Sequence, residues 1–164
     1  MSQKSTGTYH TRGSFVRISV NMKHIVTVGL GWAALASLSS AAPKASQLVV
    51  EIENRGSLTI ELFTEKAPLA TSHIAELARA GFYDGLKFFR VVRSPRPFLA
   101  QTGDPNTLKR PLGDSSIGEG GTGKAIPFED TGEKHTVGVV GLAMKPNKSG
   151  VLMGDSQFYI MLGS

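Results

Sequence analysis

Leu86-Lys87-Phe88-Phe89-Arg90-Val91-Val92 is the segment on which the reading of the chain turns. Its aromatic and β-branched residues suit a pleated, half-buried surface, and Tyr83-Asp84-Gly85 before it is turn-forming. The segment therefore reads as one strand. Strict alternation places Phe88, Arg90 and Val92 on one face. On periodicity alone, Arg90 is a basic residue on the solvent face of that strand.

The flanking sequence repeats the strand signal. Gln47 to Asn54 alternates Leu48, Val50 and Ile52 with Val49, Glu51 and Glu53; after the turn Asn54-Arg55-Gly56, Ser57 to Phe63 alternates again through Leu58, Ile60 and Leu62. This is a hairpin. Pro68 suits the first turn of a helix, Ile74, Leu77 and Ala78 share a face, and Gly81 offers a carboxyl-terminal cap, so Pro68 to Ala80 reads as an amphipathic helix. Phe98 to Gln101, Val137 to Met144 and Gln157 to Leu162 are further strands, and Thr102 to Gly123 is a long loop rich in Gly, Pro, Asp and Ser. Many short strands around one helix predict a mainly-β barrel or sandwich.

The chain has 164 residues, 40% apolar and 19% charged, which fits one globular domain. Its net charge of +5 suggests a nucleic-acid binder until the charges are located. Lys4, Arg12, Arg17 and Lys23 lie within residues 1–41, which contain no acid, and the remainder is nearly neutral. No phosphate-binding stripe is evident there, so no nucleic-acid partner is expected. The absence of cysteine excludes disulfides, thiolate metal sites and cysteine nucleophiles.

Met22-Lys23-His24 precedes an apolar run from Ile25 to Ala36, and Ser37-Leu38-Ser39-Ser40-Ala41-Ala42 follows with small residues. A positive start, a short apolar stretch and a small-x-small tail make a secretory signal peptide over residues 22–41, cut after Ala41. The run is short for a membrane span, so no stable membrane insertion is expected after cleavage. The product is expected in the periplasm or outside the cell. Residues 1–21 read as an unstructured or non-native extension, with translation starting at Met22.

Gly118-Glu119-Gly120-Gly121-Thr122-Gly123-Lys124 approaches a phosphate-binding loop, but Ala125 stands where a magnesium-holding hydroxyl is needed. Ile126-Pro127 follows where that motif requires a helix start. Turn conformations explain these glycines better. His73 and His135, the only histidines after residue 41, lack a second ligand at metal spacing and read as surface or capping residues. Nucleophilic, metal and carboxylate-pair chemistry all lack candidates.

Phe88-Phe89-Arg90-Val91-Val92, Phe98-Leu99-Ala100-Gln101-Thr102-Gly103-Asp104 and Ser156-Gln157-Phe158-Tyr159-Ile160 resemble the three signature blocks of the cyclophilins, in order. Gly81 to Gly85, and the glycine loop with Ile126 to Asp130, resemble the same family. The likeness runs from Gln47 to Ser164. It implies an antiparallel β-barrel with a capping helix and catalysed rotation about X-Pro bonds, without cofactor or metal. Arg90 then matches the catalytic arginine and Gln101 the residue that holds substrate backbone. Phe98, Leu99 and Tyr159 match the proline pocket, Ala143, Met144 and Gln157 the groove for preceding residues, and Gly120 the loop glycine near the site.

The likeness also implies closing strands, a second helix, a tryptophan and a histidine beyond Ser164, so residues 47–164 are expected to be a carboxyl-terminally incomplete domain. Arg93 to Pro97 is a longer link than the family's, and so is Lys145 to Gly154. The expected partners are proline-containing polypeptides, met by a monomer. A proline-peptide binder without turnover and a non-functional truncation product are the alternatives.

Overall fold

The computed structural model describes residues 15–21 and 47–163. Among them one helix packs against antiparallel strands: β1 (Phe15–Asn21), β2 (Gln47–Ile52), β3 (Gly56–Glu61), α1 (Pro68–Arg79), β4 (Leu86–Lys87), β5 (Arg90–Val91), β6 (Leu99–Thr102), a 3₁₀ turn at Pro105–Leu108, β7 (Ile126–Pro127), β8 (Val140–Pro146) and β9 (Leu152–Met161). One sheet has the order β3-β2-β1-β4; in the other, β5-β6-β9-β7, β8 also pairs with β9. This is the expected mainly-β class. The described strands form these two sheets, with no ladder joining them into a closed ring.

The β2–β3 hairpin follows directly from its alternation. Leu48 faces Ile60 and Val50 faces Leu58 across the ladder, and Asn54 and Gly56 take the positive φ values that the turn needs. α1 ends as its sequence suggests. Phe82 N–H donates to Leu77 O and Gly81 N–H to Ala78 O, with Gly81 at φ +71°, a Schellman cap. Its start has no capping side chain from its own segment. Glu129 reaches in instead and accepts from Leu69 N–H at 3.0 Å and Ala70 N–H at 2.7 Å, satisfying two orphan donors at the positive end of the helix dipole.

Leu48, Val50, Ile60, Ile74, Ala78, Tyr83, Leu86 and Phe158 form the buried core between α1 and the sheets. Tyr83 is fully buried, lies edge-on to Phe82 and Phe158, and donates its hydroxyl to Ser156 O at 3.0 Å. Burial, with the nearby Asp155 charge, pushes its phenol far above the ordinary range.

Two expectations change. Residues 1–21 were read as outside the fold, yet Phe15–Asn21 form a strand between β2 and β4, pairing Ile18 with Val50 and Val16 with Leu86. In sequence, Val16, Ile18 and Val20 alternate with Arg17, Ser19 and Asn21, a period-2 signal. The expected single strand Leu86 to Val92 is two strands, β4 and β5, in different sheets. Phe88 packs against the core while Arg90 is exposed, so the chain leaves one sheet and enters the other between them. The proposed leader at 22–41 lies outside the described residues.

Candidate active site

The register of β5 against β6 fixes what Arg90 can reach. Arg90 faces Gln101 and Val91 faces Ala100. Beyond them, Val92 N–H donates to Leu99 O at 2.9 Å and Phe98 N–H to Val92 O at 3.0 Å. The hairpin is thus closed at Val92 and Phe98, and the long Arg93–Pro97 link bulges outside it without moving Arg90 off Gln101. The exposed guanidinium donates from Nη1 to Gln101 Oε1 at 3.5 Å, which uses one of its five N–H groups.

Gln101 passes the contact on. Its Nε2 donates to Gln157 Oε1 at 3.0 Å. Gln157, only 9% exposed, donates from Nε2 to Gly118 O at 2.9 Å and to Gly120 O at 2.7 Å. Residues on β5, β6 and β9 and the glycine loop are therefore joined in one hydrogen-bonded chain. Alternation along β9 sends Phe158 and Ile160 to the core and leaves Gln157 and Tyr159 on the opposite face, with Gln101 paired against Tyr159.

A bulge frees β9 for this task. Leu142 faces Phe158 and Met144 faces Gly154, so Asp155, Ser156 and Gln157 together stand opposite Ala143. These three make side-chain bonds instead. Ser156 Oγ donates to Gly103 O at 2.7 Å, while Asp155 accepts from Thr122 Oγ1 at 2.5 Å and Gly123 N–H at 2.8 Å. Gly103 has φ +99°, and a Cβ there would lie 2.2 Å from Ser156 O. Only glycine fits at that position.

A family model described as cyclophilin type peptidyl-prolyl cis-trans isomerase matches residues 47–164. The chain belongs to the cyclophilin family. It is 30% identical over 151 residues to a probable peptidyl-prolyl cis-trans isomerase of Brucella suis, covering 90% of this chain and 72% of that one. A peptidyl-prolyl cis-trans isomerase of Synechococcus elongatus is 32% identical over 115 residues, covering 70% and 68%. The crystal structure of a cyclophilin type isomerase from Cryptosporidium parvum matches with TM-score 0.54 at 27% identity, covering 68% of this chain and 64% of that one. The same parasite protein in the presence of the dipeptide Ala-Pro matches with TM-score 0.52 at 26% identity, the chain spanning 65% of its length.

Of the remaining expected site residues of this cyclophilin domain, Gly120 joins the hydrogen-bonded chain, through its carbonyl. Phe98, 44% exposed, offers apolar surface just before β6, whereas Leu99, 6% exposed, is turned into the buried interior. Tyr159 is half-buried, and burial pushes its phenol above the ordinary range. Ala143 and Met144 lie half-buried on β8 across the bulge. Ala143 stands opposite the bulge that holds Gln157, and Met144 faces Gly154, where a Cβ would lie 2.7 Å from its Sδ. At Gly120, a Cβ would lie 2.2 Å from Asp104 Oδ1.

Three neighbours of the site were not singled out from sequence. His135, expected in a surface or capping role, lies 2.7 Å from the Tyr159 hydroxyl through Nε2, with the rings stacked at 5.8 Å. The pairing of Gly138 and Val139 with Met161 brings it there, and no spacing in the sequence announces it. Asp104 and Asp155 hold the glycine loop from two sides. Asp104 takes the N–H groups of Gly118 and Gly120, and Asp155 that of Gly123. Carboxylates thus fill the positions a phosphate would need, and β7 rather than a helix follows the loop.

Proposed function

We propose that this chain accelerates rotation about X-Pro bonds in proline-containing polypeptides, with Arg90 as the group that lowers the barrier. The observation that carries this reading is the pairing of Arg90 with Gln101, which faces half-buried Tyr159 across the β6–β9 ladder, with the exposed apolar ring of Phe98 just before β6. A planar X-Pro amide resists rotation by about 18–20 kcal/mol because nitrogen shares its lone pair. In the twisted transition state that nitrogen becomes pyramidal and regains the pair. A guanidinium donates to it then and hardly at all to the planar ground state, which is the differential binding that catalysis requires.

In this reading the apolar surface fixes the proline ring, and Gln101 holds both Arg90 and the substrate backbone. The presence of Ala-Pro with the Cryptosporidium neighbour supports a dipeptide of this kind as minimal substrate. Arg90→Ala should cut kcat/KM on a short X-Pro peptide by roughly 10²–10³-fold, about the worth of one preorganised donor. Peptide exchange followed by NMR measures it on the full chain. Undiminished turnover in the variant would refute the assignment; tight peptide binding without turnover in either protein would leave a binding module.

The leader at 22–41 suggests that the clients are exported proteins whose folding waits on proline isomerisation, which is slow without a catalyst. Cutting after Ala41 would sever Phe15–Asn21 from the domain. Intact mass of the chain recovered from the periplasm or medium tests this. A product beginning at Ala42 supports export with cleavage, and a product that retains Met1 opposes it.

A further inference from the structure

Asp104 is fully buried and sits just past β6, and it is none of the residues expected to contact a substrate. A buried carboxylate is costly unless its charge is met by hydrogen bonds. Three backbone donors meet it: Asn106 N–H at 2.7 Å, Gly118 N–H at 2.5 Å and Gly120 N–H at 3.2 Å. Two of these lie 14 and 16 residues along the chain, so the carboxylate holds the glycine loop rather than only its own turn. Asn106 helps by donating from Nδ2 to Ser116 O at 3.0 Å.

The other side of the same two glycines faces Gln157. Asp104 takes the N–H groups of Gly118 and Gly120, and Gln157 Nε2 gives its hydrogens to their two carbonyls. That fixes the polarity of the Gln157 amide, because turning it over would set Oε1 against two carbonyl oxygens. Oε1 must then point to Gln101, which must offer Nε2. Gln101 is left with its own Oε1 toward the Arg90 guanidinium. Each amide has one orientation that works, and the loop decides which.

We propose that Asp104 is the positioning residue of the site: by clamping Gly118 and Gly120 it sets the amide orientations of Gln157 and Gln101, and through them the place of Arg90. This rests on the reading of Arg90 as the donor. It goes beyond that reading by assigning a role to a fully buried acid. Asp155 supplies an internal comparison, since it holds the same loop at Thr122 and Gly123 but its bonds there do not lead to Gln157.

The test uses the full chain and the variants Asp104→Asn and Asp155→Asn, with Arg90→Ala beside them. Displacing a reacting group by ~1 Å can cost ~10²-fold. Asp104→Asn, which puts an amide donor against backbone donors, should lower kcat roughly tenfold to a hundredfold with KM changed less than about threefold. The side-chain NH₂ resonances of Gln157 and Gln101 should shift with it. Asp155→Asn should leave kcat within about twofold and those resonances in place.

Equal loss of kcat in both variants would reduce Asp104 to general support of the loop and overturn the proposal. So would unshifted glutamine resonances in Asp104→Asn. If Arg90→Ala keeps full activity, the donor reading itself fails, whatever the glutamine resonances do. Should Asp104→Asn not fold, the unaltered chain decides: scalar couplings across the hydrogen bonds from Gly118 and Gly120 N–H to the Asp104 carboxylate are expected, and their absence refutes the clamp.

Discussion

The two sheets of this molecule use the same antiparallel chemistry for opposite ends. In the sheet of β1 to β4 the buried side chains are apolar: Leu48, Val50, Ile60 and Leu86. The buried polar residues among those described are Thr102, Ser156 and Gln157 on the sheet of β5 to β9, Asp104 just past β6, and Thr107 on the 3₁₀ turn against β4. The first sheet supplies hydrophobic burial, which is non-directional and scales with area. The second supplies buried hydrogen bonds, which are directional and costly when left half-made. The first sheet buries apolar side chains alone, while the second buries polar groups beside Leu99, Phe158 and Met161, so substitutions on the two should differ.

The largest expected separation comes from Leu48→Ala. Leu48 is 2% exposed in the centre of the core, so its truncation should cost about 2–5 kcal/mol of folding stability. It lies away from the Arg90–Gln101–Gln157 chain, so kcat/KM per folded molecule should stay within about twofold. Arg90→Ala should do the reverse, with activity lost and the melting point kept, because the side chain is exposed and surface changes seldom exceed about 0.5 kcal/mol. Denaturant unfolding beside single-peptide kinetics measures both. If each variant lost both properties, the two sheets would be one cooperative site and the comparison would fail.

Tyr83→Phe sharpens the boundary between the sheets with a smaller effect. Its hydroxyl is the side-chain bond that ties the apolar core to the β9 bulge, at Ser156 O. Removing it leaves a buried acceptor short of a partner, at about 1–3 kcal/mol. Part of that loss should appear as faster amide exchange around Ser156 and Gly103, which share the next bond, and not in the β2–β3 hairpin. Uniform acceleration across both sheets would show that Tyr83 supports the whole core instead.

The same contrast explains what could be read from sequence. The β2–β3 hairpin and α1 were legible because burial on one face writes itself as a period, and because Pro68 and Gly81 mark the helix ends. The roles assigned to Arg90, Gln101 and Gln157 rest on likeness to a family, since nothing periodic distinguishes a functional Arg from a solvated one; what the structure adds is that the three side chains meet. Asp104, Asp155 and His135 were missed for a common reason. Each acts on residues brought near by folding, 14 to 33 positions away. The break between β4 and β5 was missed because Leu86 to Val92 has strand composition throughout, and composition does not record a change of sheet. Phe15–Asn21 alternates in sequence, but its pairing with both β2 and β4 depends on contacts from outside the segment.

The smallest predicted effect concerns acid. Burial raises the Asp155 carboxyl, but hydrogen bonds from Thr122 and Gly123 and the charge of His73, 3.7 Å away, outweigh it and hold the group below its ordinary value. A carboxyl lowered in the folded state adds stability above its unfolded pKa, and that stability is lost as pH falls from there through the folded value. Urea midpoints should therefore fall from about pH 4, the ordinary carboxylate value, downward, and Asp155→Asn should flatten part of that limb. The groups facing the carboxylate are His73 from α1, Thr122 and Gly123 from the loop, and the Tyr83 phenol. The phenol stays neutral over that range, so the part of the limb that Asp155→Asn removes reports on Asp155. If the limb were unchanged in Asp155→Asn, the acid sensitivity would belong to other carboxylates, and the loop would be held at Thr122 and Gly123 without help from charge.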